Sequence, residues 1–259
     1  MGMNIAFVEK NISPVLDNLF CNALVPLFIY DGKYKLQGSS VYIKKDNVFY
    51  LLTASHIVEE QKDLFYIQKN ADTSIIQGIK ISVAIKSKTV DLGIYKLEEQ
   101  LKSYIPLTLC DFDSFINFEN FIAIGYPATK MKHYNQRNIS VKHYSFFSNT
   151  DTEFNEANFP INRYFEIPIR FNQNKVKSFK GDTITFPVPN GMSGGMLIGY
   201  KKEFSKVNLK LVGILTRYNA TKGETMIATK IDFFKTALEK FDDCISSGKD
   251  LQIIEKIKV

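Results

Sequence analysis

Cysteine is scarce in this chain, with three residues in 259. Cys21, Cys110 and Cys244 lie far apart and are odd in number, which fits no disulfide framework and no close metal-ligand spacing. They read as small buried hydrophobes in a reducing compartment, and neither a metal nor a cofactor is expected. Glycine and proline, at 14 and 8 residues, are too few for a disordered chain. No apolar run approaches the ~20 residues needed to span a bilayer. Met1 to Lys10 lacks a basic stretch leading into an apolar one, so no signal peptide is expected and the location expected is cytoplasmic. Internal repeats and low-complexity tracts are missing too. What remains is a composition of 45% hydrophobic and 23% charged residues, that of a folded chain long enough to bury a real core.

The formal charge of +6 permits attraction to nucleic acid or to an anionic membrane. The basic residues are scattered, however, and their densest clusters are short: Lys44-Lys45, Lys130-Met131-Lys132, Lys175 to Lys180 and Lys201-Lys202. No aromatic and basic platform can be read from them, so they are taken as solvated lysines, with no membrane or nucleic-acid partner expected.

Most of the chain reads as short strands divided by turns. Leu24 to Tyr30 ends at the turn signal Asp31-Gly32, and Ser39 to Lys44 and Val48 to Thr53 flank Asp46-Asn47 as a hairpin. Further strands are expected at Leu64 to Gln68, Ile75 to Val83, Leu92 to Leu97, Phe121 to Gly125, Val141 to Phe147, Arg163 to Phe171 and Thr183 to Phe186. Met196 to Tyr200, Lys210 to Thr216 and Glu224 to Thr229 complete the set. Helical pattern is confined to Ile12 to Asn22 and to Ile231 to Ile245, where Ile231, Phe234, Leu238 and Phe241 form an apolar stripe. Many strands and few helices predict an all-β barrel or sandwich. Strand signals lapse around Asp111 to Glu119, and the join between two halves is expected there: 24–115, then 116–230, then a helix over 231–247.

Three strings carry chemistry. Leu51-Leu52-Thr53-Ala54-Ser55-His56 delivers a histidine at the end of a β-rich run. Val90-Asp91-Leu92-Gly93 opens a strand with an acid, and Gly191-Met192-Ser193-Gly194-Gly195 is a glycine-rich turn around one serine. A serine hydroxyl is a weak nucleophile at neutral pH and needs a base within hydrogen-bond reach. His56 could take that proton at Nε2 and return it to a leaving amine, while Asp91 fixes the tautomer through Nδ1. Glycines at 191, 194 and 195 let the backbone expose the Ser193 hydroxyl and aim the N–H groups of Gly191 and Ser193 at one point, an oxyanion hole.

Together the strings resemble the trypsin-like, chymotrypsin-fold serine peptidases, and most closely the bacterial HtrA-like intracellular branch, with motifs T-A-x-H, D-[IL]-[AG] and G-x-S-G-G. Phe121 to Pro127 and Leu211 to Thr216 resemble further strands of that branch. The chain order is His, Asp, Ser, with 35 residues from His56 to Asp91 and 102 from Asp91 to Ser193. The resemblance implies two six-stranded antiparallel β-barrels of the chymotrypsin type, a C-terminal helix and a short N-terminal one. It also implies a catalytic triad of His56, Asp91 and Ser193. No PDZ-like segment is expected after the C-terminal helix.

Departures from the family are informative. Met192 stands where the digestive and clotting enzymes carry an aspartate that pairs with a new amino terminus, so that activating ion pair is not expected. Met196 replaces the usual proline. The stretch Ala128 to Gly181 is longer than in HtrA-like chains and reads either as an overhang of the cleft or as a solvated insertion. The resemblance puts Pro187, Asn190, Ile214, Leu215, Thr216 and Arg217 around the substrate side chain. With Pro187 at the pocket base, a preference for lysine or arginine is not expected, an uncharged side chain fits, and Arg217 keeps an acidic one open. The function implied is endopeptidase activity on protein or peptide substrates, and an activating protein partner is kept open. The alternative is a catalytically silent module of the same fold that binds a protein or nucleic acid.

Overall fold

The computed structural model describes residues 12–58, 63–69, 74–133, 139–150, 160–174, 176–177, 183–203, 206–218 and 225–246. Two antiparallel sheets, each curled into a half-barrel, dominate it. The first holds β1 (Leu24–Asp31), β2 (Lys33–Lys45), β3 (Val48–Thr53), β4 (Leu64–Lys69), β5 (Ser74–Gly78), β6 (Ile81–Ser87) and β7 (Leu92–Leu97), in the order β5-β4-β1-β2-β3-β7-β6. After it come β8 (Asn120–Gly125), a small hairpin of β9 (Lys132–His133) and β10 (Ile139–Ser140), β11 (Tyr144–Asn149) and β12 (Glu166–Arg170). A second small hairpin, β13 (Val176–Lys177) and β14 (Thr183–Ile184), precedes β15 (Met196–Glu203), β16 (Lys206–Tyr218) and β17 (Thr225–Lys230). The second large sheet runs β11-β8-β15-β16-β17-β12.

The all-β expectation holds, with one correction to the count: the first sheet has seven strands. Ile75 to Val83 is two strands, because the chain turns after Gly78. The Ile79 N–H still donates to Leu64 O at 2.7 Å, which extends the β4–β5 register by one residue, before β6 opens at Ile81 against Leu97 of β7. Other expected strands shorten. Residues 163–165 form a turn ahead of β12, held by Phe165 and Glu166 N–H groups that both donate to Asn162 O. Val141 to His143 precedes β11, and Glu224 lies outside the described residues, as do 134–138, 151–159, 175 and 178–181 within the 128–181 stretch.

Period-two alternation explains why so many strands read as continuously apolar. In β8, Phe121 and Ala123 point into the second half-barrel while Ile122 and Ile124 point toward the first sheet. In β2, Tyr42 points into the first half-barrel, and Val41 and Ile43 face the seam. Strands buried on both faces lose the apolar-polar alternation of a half-exposed sheet. Helical elements flank this seam. A segment of Ser13–Val15, a π-type turn Leu16–Phe20 and Cys21–Ala23 buries Ile12, Leu16 and Phe20 there. The helix Ile231–Ser246 buries the expected stripe, Ile231, Phe234, Leu238 and Phe241. No helix among the described residues is long and apolar enough to cross a membrane.

Candidate active site

His56 rides on a single 3-10 turn, Ser55–Ile57, that follows β3. Its flanks are buried: Ala54, Ile57 and Val58 pack inside the first half-barrel, and Tyr95 Oη donates to Ile57 O at 3.2 Å. The turn can press on β7 only because residue 93 is glycine, since a Cβ there would stand 2.4 Å from Val58 Cγ2. The imidazole itself is half exposed.

Asp91 closes the turn before β7 with φ of 47°, a left-handed conformation that aspartate tolerates better than most residues. The second sheet reaches over to hold this turn, with Thr229 Oγ1 donating to Val90 O at 2.8 Å. One carboxylate oxygen, Oδ1, gathers three donors: Ser55 N–H at 2.8 Å, Ser55 Oγ at 2.7 Å and His56 Nδ1 at 3.4 Å. Burial pushes the Asp91 carboxyl up, but the donors from His56 and Ser55 outweigh it and hold the group below its ordinary value.

The serine turn is fixed by its carbonyls. Ser39 N–H donates to Ser193 O at 2.7 Å, Ser39 Oγ to Gly191 O at 3.0 Å, and Ala128 N–H to Asn190 O at 2.7 Å. Met192 N–H is taken by Pro189 O, Gly194 N–H by Leu215 O and Gly195 N–H by Met192 O. The N–H groups of Gly191 and Ser193 are the two in this turn that find no partner among the described residues. Positive φ at Gly191 (91°) and Gly194 (84°) makes the path possible, and a Cβ on Gly194 would fall 1.8 Å from Ser39 O. Ser193 Oγ donates to Thr216 O at 3.0 Å.

The trypsin-like peptidase domain family matches residues 38–204, a span that includes His56, Asp91 and Ser193. The chain belongs to this family. A solved structure of neuropsin, a serine protease expressed in the limbic system of mouse brain, superposes with a TM-score of 0.55 over 85% of this chain and 94% of that one. At 15% identity this likeness speaks for the fold alone. Comparison with curated proteins finds no match.

Within the peptidase fold, the residues expected around the substrate side chain separate into groups. Ile214 is fully buried and faces the seam, and Leu215 packs inside the second half-barrel in one cluster with Met192, while its backbone bonds Gly194 and Gly195 of the serine turn. Thr216 is buried and bonds Ile227 O through its hydroxyl, leaving its carbonyl to Ser193. Asn190 is exposed and Pro187 half-buried. Arg217 pairs through Nη2 with the buried carboxylate of Glu166. Met192 is fully buried among Phe186, Leu197 and Leu215, a setting with no place for an activating carboxylate.

Sequence reasoning missed two residues. Ser55 supplies two of the three donors on Asp91, and Ser39 clamps the serine turn from the opposite sheet while also accepting Tyr126 N–H at 2.9 Å. Their sequence signals were the variable position of T-A-x-H and the small run Gly38-Ser39-Ser40. A Cβ on Gly38 would approach Ser193 O to 3.0 Å.

Proposed function

We propose that the protein is a serine endopeptidase in which Ser193 attacks the scissile carbonyl, His56 is the base and then the acid, and Asp91 orients the imidazole. The N–H groups of Gly191 and Ser193 are the oxyanion donors. The observation that carries this reading is the pairing pattern of residues 191–195, in which the flanking N–H groups are bonded and those two are left open. Donors fixed in advance toward developing charge need no reorganisation during the reaction, and losing one typically costs ~3–4 kcal/mol of transition-state stabilisation.

Ser193 Oγ is bonded to Thr216 O and not to His56, so this reading requires the hydroxyl to leave that carbonyl and bond His56 Nε2 before it attacks. The substrate class is protein or peptide, and the HtrA-like branch is the nearest on motifs. An uncharged side chain before the scissile bond fits best, since the Arg217 guanidinium is already matched by Glu166.

A fluorophosphonate probe and proteome-digest cleavage profiling test the reading. Labelling and new amino termini should appear with the wild type and vanish in Ser193→Ala at unchanged fold. Salt-sensitive nucleic-acid binding with no labelling, even beside candidate activators, would favour the silent module instead.

A further inference from the structure

Outside this site, three chemically reactive side chains meet although 122 residues separate two of them. Cys21, buried at the end of the N-terminal helical segment, has its Sγ 3.6 Å from Asp17 Oδ1, one turn earlier, and 3.7 Å from His143 Nε2, just ahead of β11. The three ligand atoms all lie within 4.8 Å of one another. Tetrahedral zinc, with bonds of ~2.0–2.3 Å to oxygen, nitrogen and sulfur, separates neighbouring ligand atoms by about 3.5 Å. The sulfur therefore stands close to that separation from both partners.

We propose that Asp17, Cys21 and His143 form a binding site for one divalent cation of the zinc class, with water as the fourth ligand. A thiolate, an imidazole and a carboxylate are the donor types such a cation takes. The thiol proton now directed at Asp17 leaves to solvent as the sulfur–metal bond forms, and no oxidation state changes. His143 binds through Nε2 and keeps its proton on Nδ1. Asp17 sits on the π-type turn, a local widening that often accompanies functional sites. The Tyr126 ring meets the His143 ring edge to face at 6.0 Å, and its hydroxyl donates to Leu24 O, so the histidine is backed by a fixed neighbour. A bound cation would fasten the helical segment to the second sheet. This inference does not depend on peptidase activity.

Titration of the purified full chain with Co²⁺ tests it. One equivalent should produce thiolate-to-metal charge-transfer absorption and the intense visible bands of tetrahedral cobalt. His143→Gln, and Asp17→Asn at an exposed position that leaves the fold intact, should each weaken binding by at least about tenfold, since loss of even an outer partner costs ~10–100-fold. Cys110→Ser and His56→Gln should leave the signal unchanged. Zn²⁺ should raise the melting temperature of the wild type and not that of His143→Gln. No charge-transfer band in the wild type, unchanged affinity in His143→Gln, or loss of the band in Cys110→Ser would each overturn the proposal.

Discussion

Asp91 shows how much one residue must satisfy in this protein. Its backbone takes a positive φ, its carboxylate is mostly buried, and a single oxygen collects donors from Ser55 and His56. The folded protein holds this group below its unfolded value of ~3.9, so the stabilisation is fully present above that pH and is lost as pH falls through the folded value. Asp91→Asn should therefore lower stability at neutral pH, and the gap from wild type should narrow in acid; chemical denaturation at a series of pH values reads this out. Activity of the same variant should fall by about 10⁴-fold, the loss a trypsin-type triad shows when its acid becomes an amide. Ser39→Ala removes two hydrogen bonds and leaves Gly191 O and the buried Tyr126 N–H without that partner. The expected cost is ~1–3 kcal/mol in stability. On the proposed role of the Gly191 and Ser193 N–H groups, kcat should fall more than KM rises in steady-state assays. Gly194→Ala meets both a left-handed φ and the Ser39 carbonyl, and should fail to give active, folded protein in melting and labelling experiments.

Whole strands and turns, rather than single groups, place Arg217 and Glu166 together near the serine turn. The turn before β12 brings Glu166 under Arg217 on β16, with the carboxylate also accepting Asn162 N–H at 2.7 Å. Arg217 follows the residue whose carbonyl receives Ser193 Oγ, and on the proposed function freeing its charge should change which side chain the cleft takes. Glu166→Gln should increase cleavage after Asp and Glu relative to wild type, measured with a positional peptide library. At this scale the sequence was legible where periodicity was strong. The Ile231–Ser246 helix and its buried stripe match the expected pattern, as do β3, β7 and β8. It was not legible at Ile75 to Val83, where both strands carry the same β-rich composition and the break lies where the pairing partner changes from β4 to β7. Cys110 corrects the reading of the cysteines, for it is exposed beside β16, with its carbonyl held by Lys210 Nζ. The side chains of His133 and Cys244 lie outside the described residues.

Across the whole molecule, the seam between the sheets joins residues of β2, β3, β7, β8, β15 and β16 with both helical elements in one apolar cluster. A shared core couples the halves, so heat or denaturant should unfold them in one transition, seen as coincident curves from two spectroscopic probes. Phe234, fully buried in that seam, should cost ~3–5 kcal/mol as Phe234→Ala and shift the single transition without splitting it. The order of histidine, acid and serine, the glycines of the serine turn and the two-sided hydrophobicity of the strands were written in the chain itself, because each rests on local spacing and backbone sterics. Only the tertiary fold decided that Ser39 grips the serine turn, that Glu166 neutralises Arg217 and that His143 meets Cys21. Those contacts join segments far apart in sequence, and their energies depend on distances that no local pattern encodes.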